Sequence, residues 1–313
     1  HYSDSVILGF SHTHLSGTGI GDLLDVSMMP SVGKSMDTLL TPSAFSHTDE
    51  KAKPGYYSVL LKDYNIKTEL TVSDFAGWQR HTFPKSEKAM LRIDLGWAVN
   101  WDKPVETFIQ RHDDSTITGY RYSTGWAKDQ KVYFAARSQK FKGATLSLIA
   151  DKVKVDSSAA KGAKVAAGIS FATAENEEVI VKTGLSFANI EGALAALAQR
   201  PDYDFDGVAA AARQNWENEL GKVSIEAADS VKTIFYTALY HAFTAPSRFS
   251  DINGAYKGVD GKVQQANQPV YTIQSLWDTF RGANPLFTLL QSERVPDIIN
   301  SYLLFYDQYG LLP

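Results

Sequence analysis

The 313-residue sequence contains no cysteine, which excludes disulfide bonds, thiolate metal sites and cysteine nucleophiles. It also lacks an uninterrupted run of about 18 apolar residues, so no membrane-spanning helix is predicted. Neither sign of charge dominates, since 31 Lys and Arg balance 35 Asp and Glu to a net charge of -4. A nucleic-acid partner is therefore not predicted. Serine-hydrolase, zinc-protease, P-loop and dinucleotide-binding motifs are absent as well.

The pattern of apolar residues divides the chain into two parts. Up to about residue 205, apolar and polar residues alternate, as at 66–72, 91–95 and 146–148, which indicates strands with one face on a core and the other in water. Many short strands separated by turn residues predict an antiparallel sandwich. Beyond residue 205 the apolar spacing changes to three and four, which predicts helices. Strands followed by helices indicate two domains.

The helical part carries several local signals. Asp229 or Ser230 is predicted to cap a helix, Pro285 to begin a short helix, and Gly310 to end the last one. The polar stretch 250–270 is predicted to be a loop that contains a short hairpin.

A histidine pair followed by a glycine-rich loop is the first candidate site. His12 and His14 are two residues apart, so on a strand they would point the same way and could bind a metal, shuttle a proton or contact a sugar hydroxyl. The glycines that follow would let backbone amides approach a ligand closely. The alternative is a structural histidine pair beside an ordered loop, because no third metal ligand is identifiable.

A tryptophan next to a carboxylate is the second candidate. Trp277 could cover the apolar face of a pyranose while Asp278 accepts hydrogen bonds from its hydroxyls. The alternative is a buried Trp277 with Asp278 paired to Arg281 at helical spacing. Four other tryptophans are interpreted mainly as core or interface packing: Trp78, Trp97, Trp101 and Trp126.

Residues 12–22, continued to Gly33, resemble glycoside hydrolase family 92. Further segments agree with this family in the same order along the chain: 54–59, 119–121, 125–127, 132–135, 186–193, 275–281, 285–286 and 293–295. The resemblance implies a calcium-dependent, exo-acting α-mannosidase that trims mannose from glycans with inversion and is exported by bacteria to the periplasm, cell surface or medium. It also implies a β-sandwich packed on an (α/α)6 barrel, with the active site between them. In an inverting enzyme the acid and the base flank a water molecule.

The resemblance also divides the chain and assigns its site. Residues 1–205 correspond to the sandwich with its first strands missing, 206–228 to a linker helix, and 229–313 to the start of a truncated barrel. The catalytic acid, the base and the calcium ligands are expected beyond Pro313, so the chain alone is expected to be inactive without the remainder of the polypeptide. The implied substrate contacts are Asp278, Trp277, His12, His14, Ser16, Gly17, Thr18 and Gly19. Two alternatives stay open, a non-catalytic carbohydrate-binding module and a glycoside phosphorylase.

Overall fold

A computed structural model describes residues 3–15, 23–36, 41–272 and 275–313. The strands in chain order are β1 (Val6–Ile7), β2 (Ser27–Val32), β3 (Ser43–Ala44), β4 (Glu50–Lys53), β5 (Tyr56–Leu61), β6 (Ile66–Val72), β7 (Ala76–Phe83), β8 (Ser86–Asp94), β9 (Lys103–Asp113), β10 (Thr116–Thr124), β11 (Gln130–Arg137), β12 (Thr145–Ala150), β13 (Val153–Val155), β14 (Ala159–Gly162), β15 (Val165–Thr173), β16 (Glu177–Ser186), β17 (Ser247–Arg248), β18 (Ala255–Lys257), β19 (Val263–Gln265) and β20 (Tyr271–Thr272). The α-helices are α1 (Ile190–Ala198), α2 (Phe205–Leu220), α3 (Asp229–Ala242), α4 (Leu276–Thr279), α5 (Ala283–Leu290) and α6 (Val295–Tyr309).

Two antiparallel sheets form the sandwich. One has nine strands in the order β14-β9-β10-β11-β16-β7-β6-β5-β4, and the other has five in the order β13-β12-β15-β8-β2. Side chains from both sheets meet in one buried core that includes Met28, Phe83, Ile93, Ile117 and Phe134. The predicted order of strands followed by helices is confirmed.

The alternating strands bury more than one face. Ile66 of β6 and Leu91 and Ile93 of β8 lie in the core, as predicted. The opposite face was expected to lie in water, but Glu69 of β6 is also buried. It accepts hydrogen bonds from Arg80, which also bridges to Asp206 of α2. The expectation of a solvated face is wrong here, because helices that come later in the chain cover it.

Helices α1 and α2 pack on the outer face of the nine-stranded sheet. Helix α2 presses Phe205 and Val208 against Trp78, and α1 places Ala193 and Leu197 against Ala135. Each helix begins with a side-chain cap: the Asn189 side chain accepts from Gly192 N–H, and that of Asp204 accepts from Gly207 N–H. The sandwich and the first helices therefore share apolar contacts.

The remaining local predictions have mixed outcomes. Helix α6 ends at Gly310, where φ is 81°, and a hairpin of β18 and β19 lies within 250–270, as predicted. Helix α5 begins two residues before Pro285. Helix α3 starts at Asp229 with Ala228 in the capping position and no side-chain cap, so the predicted cap is wrong. None of the helices in the described ranges has the length and apolar character needed to cross a bilayer.

Several connections gather at one end of the sandwich. The strand register brings together the end of β10 and the start of β11, the ends of β16 and β6, and the start of β7. The connections at this end include 73–75, 95–102, 125–129 and 187–189, together with residues 11–15 and 23–26. We call this end of the sandwich the loop end. Segment 248–251 of the helical part lies against it.

Candidate functional site

Residues 10–14, which we call the histidine segment, run antiparallel to residues 24–28. Phe10 and Met28 exchange backbone hydrogen bonds of 2.8 and 2.9 Å, and His12 N–H donates to Asp25 O at 3.0 Å. Leu24 and Val26 have positive φ angles of 65° and 54°. Such angles are unusual for branched side chains, and strained backbone of this kind concentrates at binding sites.

His12 is the first link of a hydrogen-bond relay into the sheet. Its Nδ1 donates to Val26 O at 2.7 Å, and its Nε2 accepts from the Gln79 amide at 3.3 Å. The Gln79 carbonyl in turn accepts from His81 Nε2 at 3.1 Å, and Thr68 donates to His81 Nδ1 at 3.0 Å. Burial lowers the pKa of His12 to about 4 and that of His81 to about 3, so both rings are neutral at physiological pH. The relay fixes one tautomer for each ring.

The two predicted histidines differ in their surroundings. His12 is partly buried and both of its ring nitrogens have protein partners, whereas His14 is exposed. The described residues 11–15 are not part of a strand. Ser16, Gly17, Thr18 and Gly19 lie outside the described residues. Sugar contact by this loop stays a prediction.

A cleft of about 310 Å³ lies between the loop end and segment 248–251. His12, Trp78, Gln79 and Phe75 line it from the sandwich, and Arg248 and Asp251 line it from the helical part. The Arg248 guanidinium lies 4.7 Å from the centroid of the Phe75 ring. The cleft thus combines aromatic faces with a few polar groups, a composition typical of ligand sites.

Asp251 connects the two walls of the cleft. Its carboxylate accepts from the Ser186 hydroxyl at 2.6 Å, at the end of β16. Burial raises the pKa of Asp251 to about 6, although the Ser186 hydrogen bond opposes the rise. The loop 250–270 was predicted, but the role of Asp251 was not, because its partner lies 65 residues away.

A buried arginine ties the histidine segment to the rest of the loop end. Arg121 Nη1 donates to Asp25 at 2.7 Å, and Arg121 Nη2 donates to Asp102. The guanidinium also donates to the backbone carbonyls of Leu95 and Trp97, each at 3.0 Å. Burial raises the pKa of Asp25 despite the neighbouring guanidinium. The sequence marks Arg121 only as part of segment 119–121, which resembles the family, because nothing in its local sequence indicates a buried charge.

Asp25 also holds the histidine segment directly. Its second carboxylate oxygen accepts from the Thr13 hydroxyl at 2.8 Å and from the Gln130 amide at 2.7 Å. Thr13 lies between His12 and His14, so this carboxylate positions the segment that carries both candidates.

Trp277 and Asp278 lie on the short helix α4. Trp277 is 75% exposed, and Asp278 accepts from the Ser275 hydroxyl at 2.6 Å. Arg281 lies 5.0 Å from the Trp277 ring and donates to the Trp277 carbonyl at 2.7 Å. The alternative of a buried tryptophan with an Asp278–Arg281 pair is therefore wrong.

Helix α4 follows in the chain after the strands that carry one wall of the cleft. Arg248 of β17 pairs with Tyr271 of β20, and α4 follows shortly after along the chain. Trp277 and Asp278 thus follow, along the chain, a strand that pairs with Arg248 of the cleft wall. That Asp278 and the loop near His14 bind one sugar ring stays a prediction.

Comparison with known families decides the identity of this arrangement. The model of the glycosyl hydrolase family 92 N-terminal domain matches residues 1–186, and that of the family 92 catalytic domain matches residues 192–313. The chain belongs to glycosyl hydrolase family 92. The resemblance found in the sequence is thereby confirmed.

Solved structures of family 92 enzymes share the fold. The α-mannosidase BT3965 from Bacteroides thetaiotaomicron is 37% identical with a TM-score of 0.96, covering 100% of this chain and 44% of that one. Its complex with mannoimidazole matches with a TM-score of 0.95 and 37% identity, over 100% of this chain and 43% of that one. The inverting mannosidase BT2199 from the same organism is 26% identical with a TM-score of 0.86, over 100% of this chain and 42% of that one.

A curated relative is described as an uncharacterized secreted glycosidase of Arthroderma benhamiae. It is 23% identical over 88% of this chain and 39% of its own length. The family 92 chain described here therefore spans less than half the length of the relatives it matches.

Calcium is the metal that the sequence resemblance led us to expect. Within the described residues, no group of three or more His, Asp or Glu side chains converges on one point. A calcium ion prefers six to eight oxygen ligands. The described residues therefore do not fit a calcium site by themselves.

Proposed function

We propose that this chain is the substrate-binding part of an exo-acting α-mannosidase that releases terminal α-linked mannose from glycans with inversion. The similarity to an α-mannosidase over the whole chain, at 37% identity and a TM-score of 0.96, is the observation that carries the proposal. The related structure with bound mannoimidazole supports a mannose-like ligand. The family 92 catalytic domain match over 192–313 favours a hydrolase over a binding module or a phosphorylase.

The exposed Trp277 and Asp278 supply the sugar contacts in this proposal. The free face of the Trp277 indole can stack on a pyranose, and the Asp278 carboxylate can accept hydrogen bonds from its hydroxyls. The Ser275 hydroxyl donates to Asp278 and the Arg281 guanidinium lies over one face of the Trp277 ring, so both side chains are oriented before the sugar arrives. The relay through His12 and the Asp25–Arg121 pair hold the opposite loop in place.

Calcium, the acid and the base belong to the rest of the protein in this proposal. The ion would hold vicinal hydroxyls of the mannose, with ligands outside residues 1–313. Export to the periplasm, cell surface or medium is also part of the proposal, supported by the secreted glycosidase among the relatives.

The test uses the full-length protein and an aryl α-mannoside. Asp278→Ala should lower kcat/KM by about 100-fold or more, because a hydrogen-bond acceptor for the bound sugar is lost. Asp114→Ala is the matched control, since Asp114 is exposed in the turn between β9 and β10 at the other end of the sandwich. Excess chelator should abolish activity, and added calcium should restore it.

The 313-residue chain alone provides a second measurement. It should bind methyl α-mannoside in an Asp278-dependent way without hydrolysing it. Unchanged kinetics of the full-length Asp278→Ala enzyme would refute the proposed role of this residue.

A further inference from the structure

Two exposed tryptophans stack on each other at the loop end. Trp101 is 60% exposed and Trp126 is 63% exposed, although both were interpreted as packing residues from the sequence. Their ring centroids are 6.2 Å apart and their planes differ by 28°. Most buried aromatics of the chain have a core to fill, as Trp78 does, but these two indoles present their surfaces to water. We call them the tryptophan pair.

Residues close to both tryptophans in the chain are paired with basic side chains. Trp101 directly precedes Asp102, whose carboxylate accepts from the buried Arg121. Trp126 lies in the turn 125–129, and Asp129 at the end of that turn accepts from Lys257 Nζ at 2.7 Å. A platform that is fixed before binding loses little conformational entropy when a ligand stacks on it.

The tryptophan pair and the cleft occupy the same end of the sandwich. Trp126 follows β10, and the cleft lies at the start of β7, which is three positions away in the order β10-β11-β16-β7. Because neighbouring strands are about 4.8 Å apart, the ends of β10 and β7 that adjoin the two features are separated by roughly 14 Å. One branched or extended oligosaccharide is long enough to reach both.

The chemistry of the tryptophan pair suits a sugar ring. An indole face binds the apolar C–H face of a pyranose, and polar groups around it can meet the hydroxyls. Asn100, Lys128 and Asp129, which are near the two tryptophans in the chain, are also exposed. The surface area of two rings bordered by charged residues is much smaller than the roughly 800 Å² per partner that a stable protein interface buries. The tryptophan pair is therefore better suited to a sugar than to a protein partner.

We propose that Trp101 and Trp126 form a second sugar-binding platform, which stacks on a pyranose of the glycan other than the terminal residue. The identity of the glycan rests on the proposed α-mannosidase function. The platform would therefore give preference for extended or branched glycans over simple mannosides.

Isothermal titration of the 313-residue chain tests this proposal. The two ligands are methyl α-mannoside and a branched high-mannose oligosaccharide. Trp101→Ala and Trp126→Ala should each weaken oligosaccharide binding by about 3- to 10-fold, and leave methyl α-mannoside binding unchanged. Trp126→Tyr should retain most of the affinity, because an aromatic face remains. Asp278→Ala should weaken binding of both ligands.

Asp114→Ala is the control, because Asp114 is exposed in the turn between β9 and β10, at the end of the sandwich opposite the loop end. Unchanged oligosaccharide affinity in both tryptophan variants would overturn the platform, whatever Asp278→Ala does. Lowered stability with unchanged affinity would show a packing surface and would also overturn it.

Failure of the wild-type chain to bind either ligand would contradict the proposed function. The platform is then judged separately, from NMR shifts of the Trp101 and Trp126 indole N–H groups during titration with gluco- and galacto-oligosaccharides. Shifts confined to these two signals would support a sugar platform, and their absence would overturn it.

Discussion

Arg121 is the residue on which the loop end depends most. It is fully buried, and its guanidinium lies between the carboxylates of Asp25 and Asp102. Removal of one partner of a buried ion pair leaves charge without compensation in a medium of low polarity. Arg121 therefore couples the histidine segment to connection 95–102.

Arg121→Met should lower the free energy of unfolding by about 3–5 kcal/mol, measured from urea denaturation. Arg213→Met is the control, since the Arg213–Glu217 pair on α2 is exposed and should contribute less than about 1 kcal/mol. Adding Asp25→Asn to Arg121→Met should restore part of the loss, because one uncompensated charge disappears. Equal effects of Arg121→Met and Arg213→Met would disprove this role.

His81 lies further along β7, away from the loop end, and makes the stability of the sandwich depend on pH. Its pKa is lowered to about 3 in the folded chain, whereas the ordinary value is 6.5. Above pH 6.5 the ring is neutral in both states, and as pH falls from 6.5 towards 3 only the unfolded state takes up the proton. Stability is therefore present above the unfolded pKa and is lost as the solution is acidified.

Between pH 7 and pH 4.5, His81 should account for about 2–3 kcal/mol of lost stability. His81→Gln should reduce the difference between urea unfolding curves recorded at the two pH values. NMR of the imidazole nitrogens should show His12 and His81 neutral at pH 5.5. A titration midpoint near 6.5 for either ring would contradict the buried relay.

At the scale of elements, helix α1 and segment 248–251 are joined through a glycine. A Cβ atom at Gly192 would lie 2.0 Å from Asp251 Oδ2 and 2.6 Å from Ser186 Oγ. Only glycine lets the Asp251 carboxylate reach the first turn of α1. The resemblance had marked segment 186–193, and the structure supplies a physical reason for its glycine.

Gly192→Ala should destabilise the protein by about 2–4 kcal/mol, because it overpacks the site and breaks the Ser186–Asp251 hydrogen bond. Hydrogen exchange should increase in 248–272. Gly282→Ala is the control, since a Cβ there meets no atom within 4 Å, and it should change stability by less than about 1 kcal/mol. Unaltered exchange in 248–272 would argue against the connection.

At the scale of the whole molecule, helices α3, α5 and α6 expose apolar side chains. Ile234 is 71% exposed and Leu289 is 79% exposed, and further exposed apolar or aromatic residues of α3 and α6 are Val231, Ile299, Leu303, Tyr306 and Tyr309. Large apolar side chains exposed in such numbers are typical of an interaction surface. In our proposal the remainder of the polypeptide packs on it.

The 313-residue chain should therefore bind a hydrophobic dye such as ANS and associate as its concentration rises. Ile234→Glu combined with Leu289→Glu should reduce dye fluorescence by about half or more. Val153→Glu, on an isolated exposed strand position, should leave it unchanged. Dye binding that the double variant does not alter would locate the apolar surface elsewhere.

Local patterns in the sequence predicted the architecture well, because each strand or helix must bury one face. The alternation at Leu91 and Ile93 indicated a sandwich, and Gly310 marked a helix end that needs a positive φ. The missing side-chain cap at Ala228 shows that such signals can fail at single positions.

The sequence by itself determined the succession of strands and helices and the family, since both depend on residue types close together in the chain. Only the tertiary structure decided which charges are buried and which tryptophans are exposed. Arg121 and Asp25 are 96 residues apart, and Trp101 and Trp126 belong to different connections. Burial and pairing of such side chains depend on how the sheets and later helices cover them, and no local pattern records that.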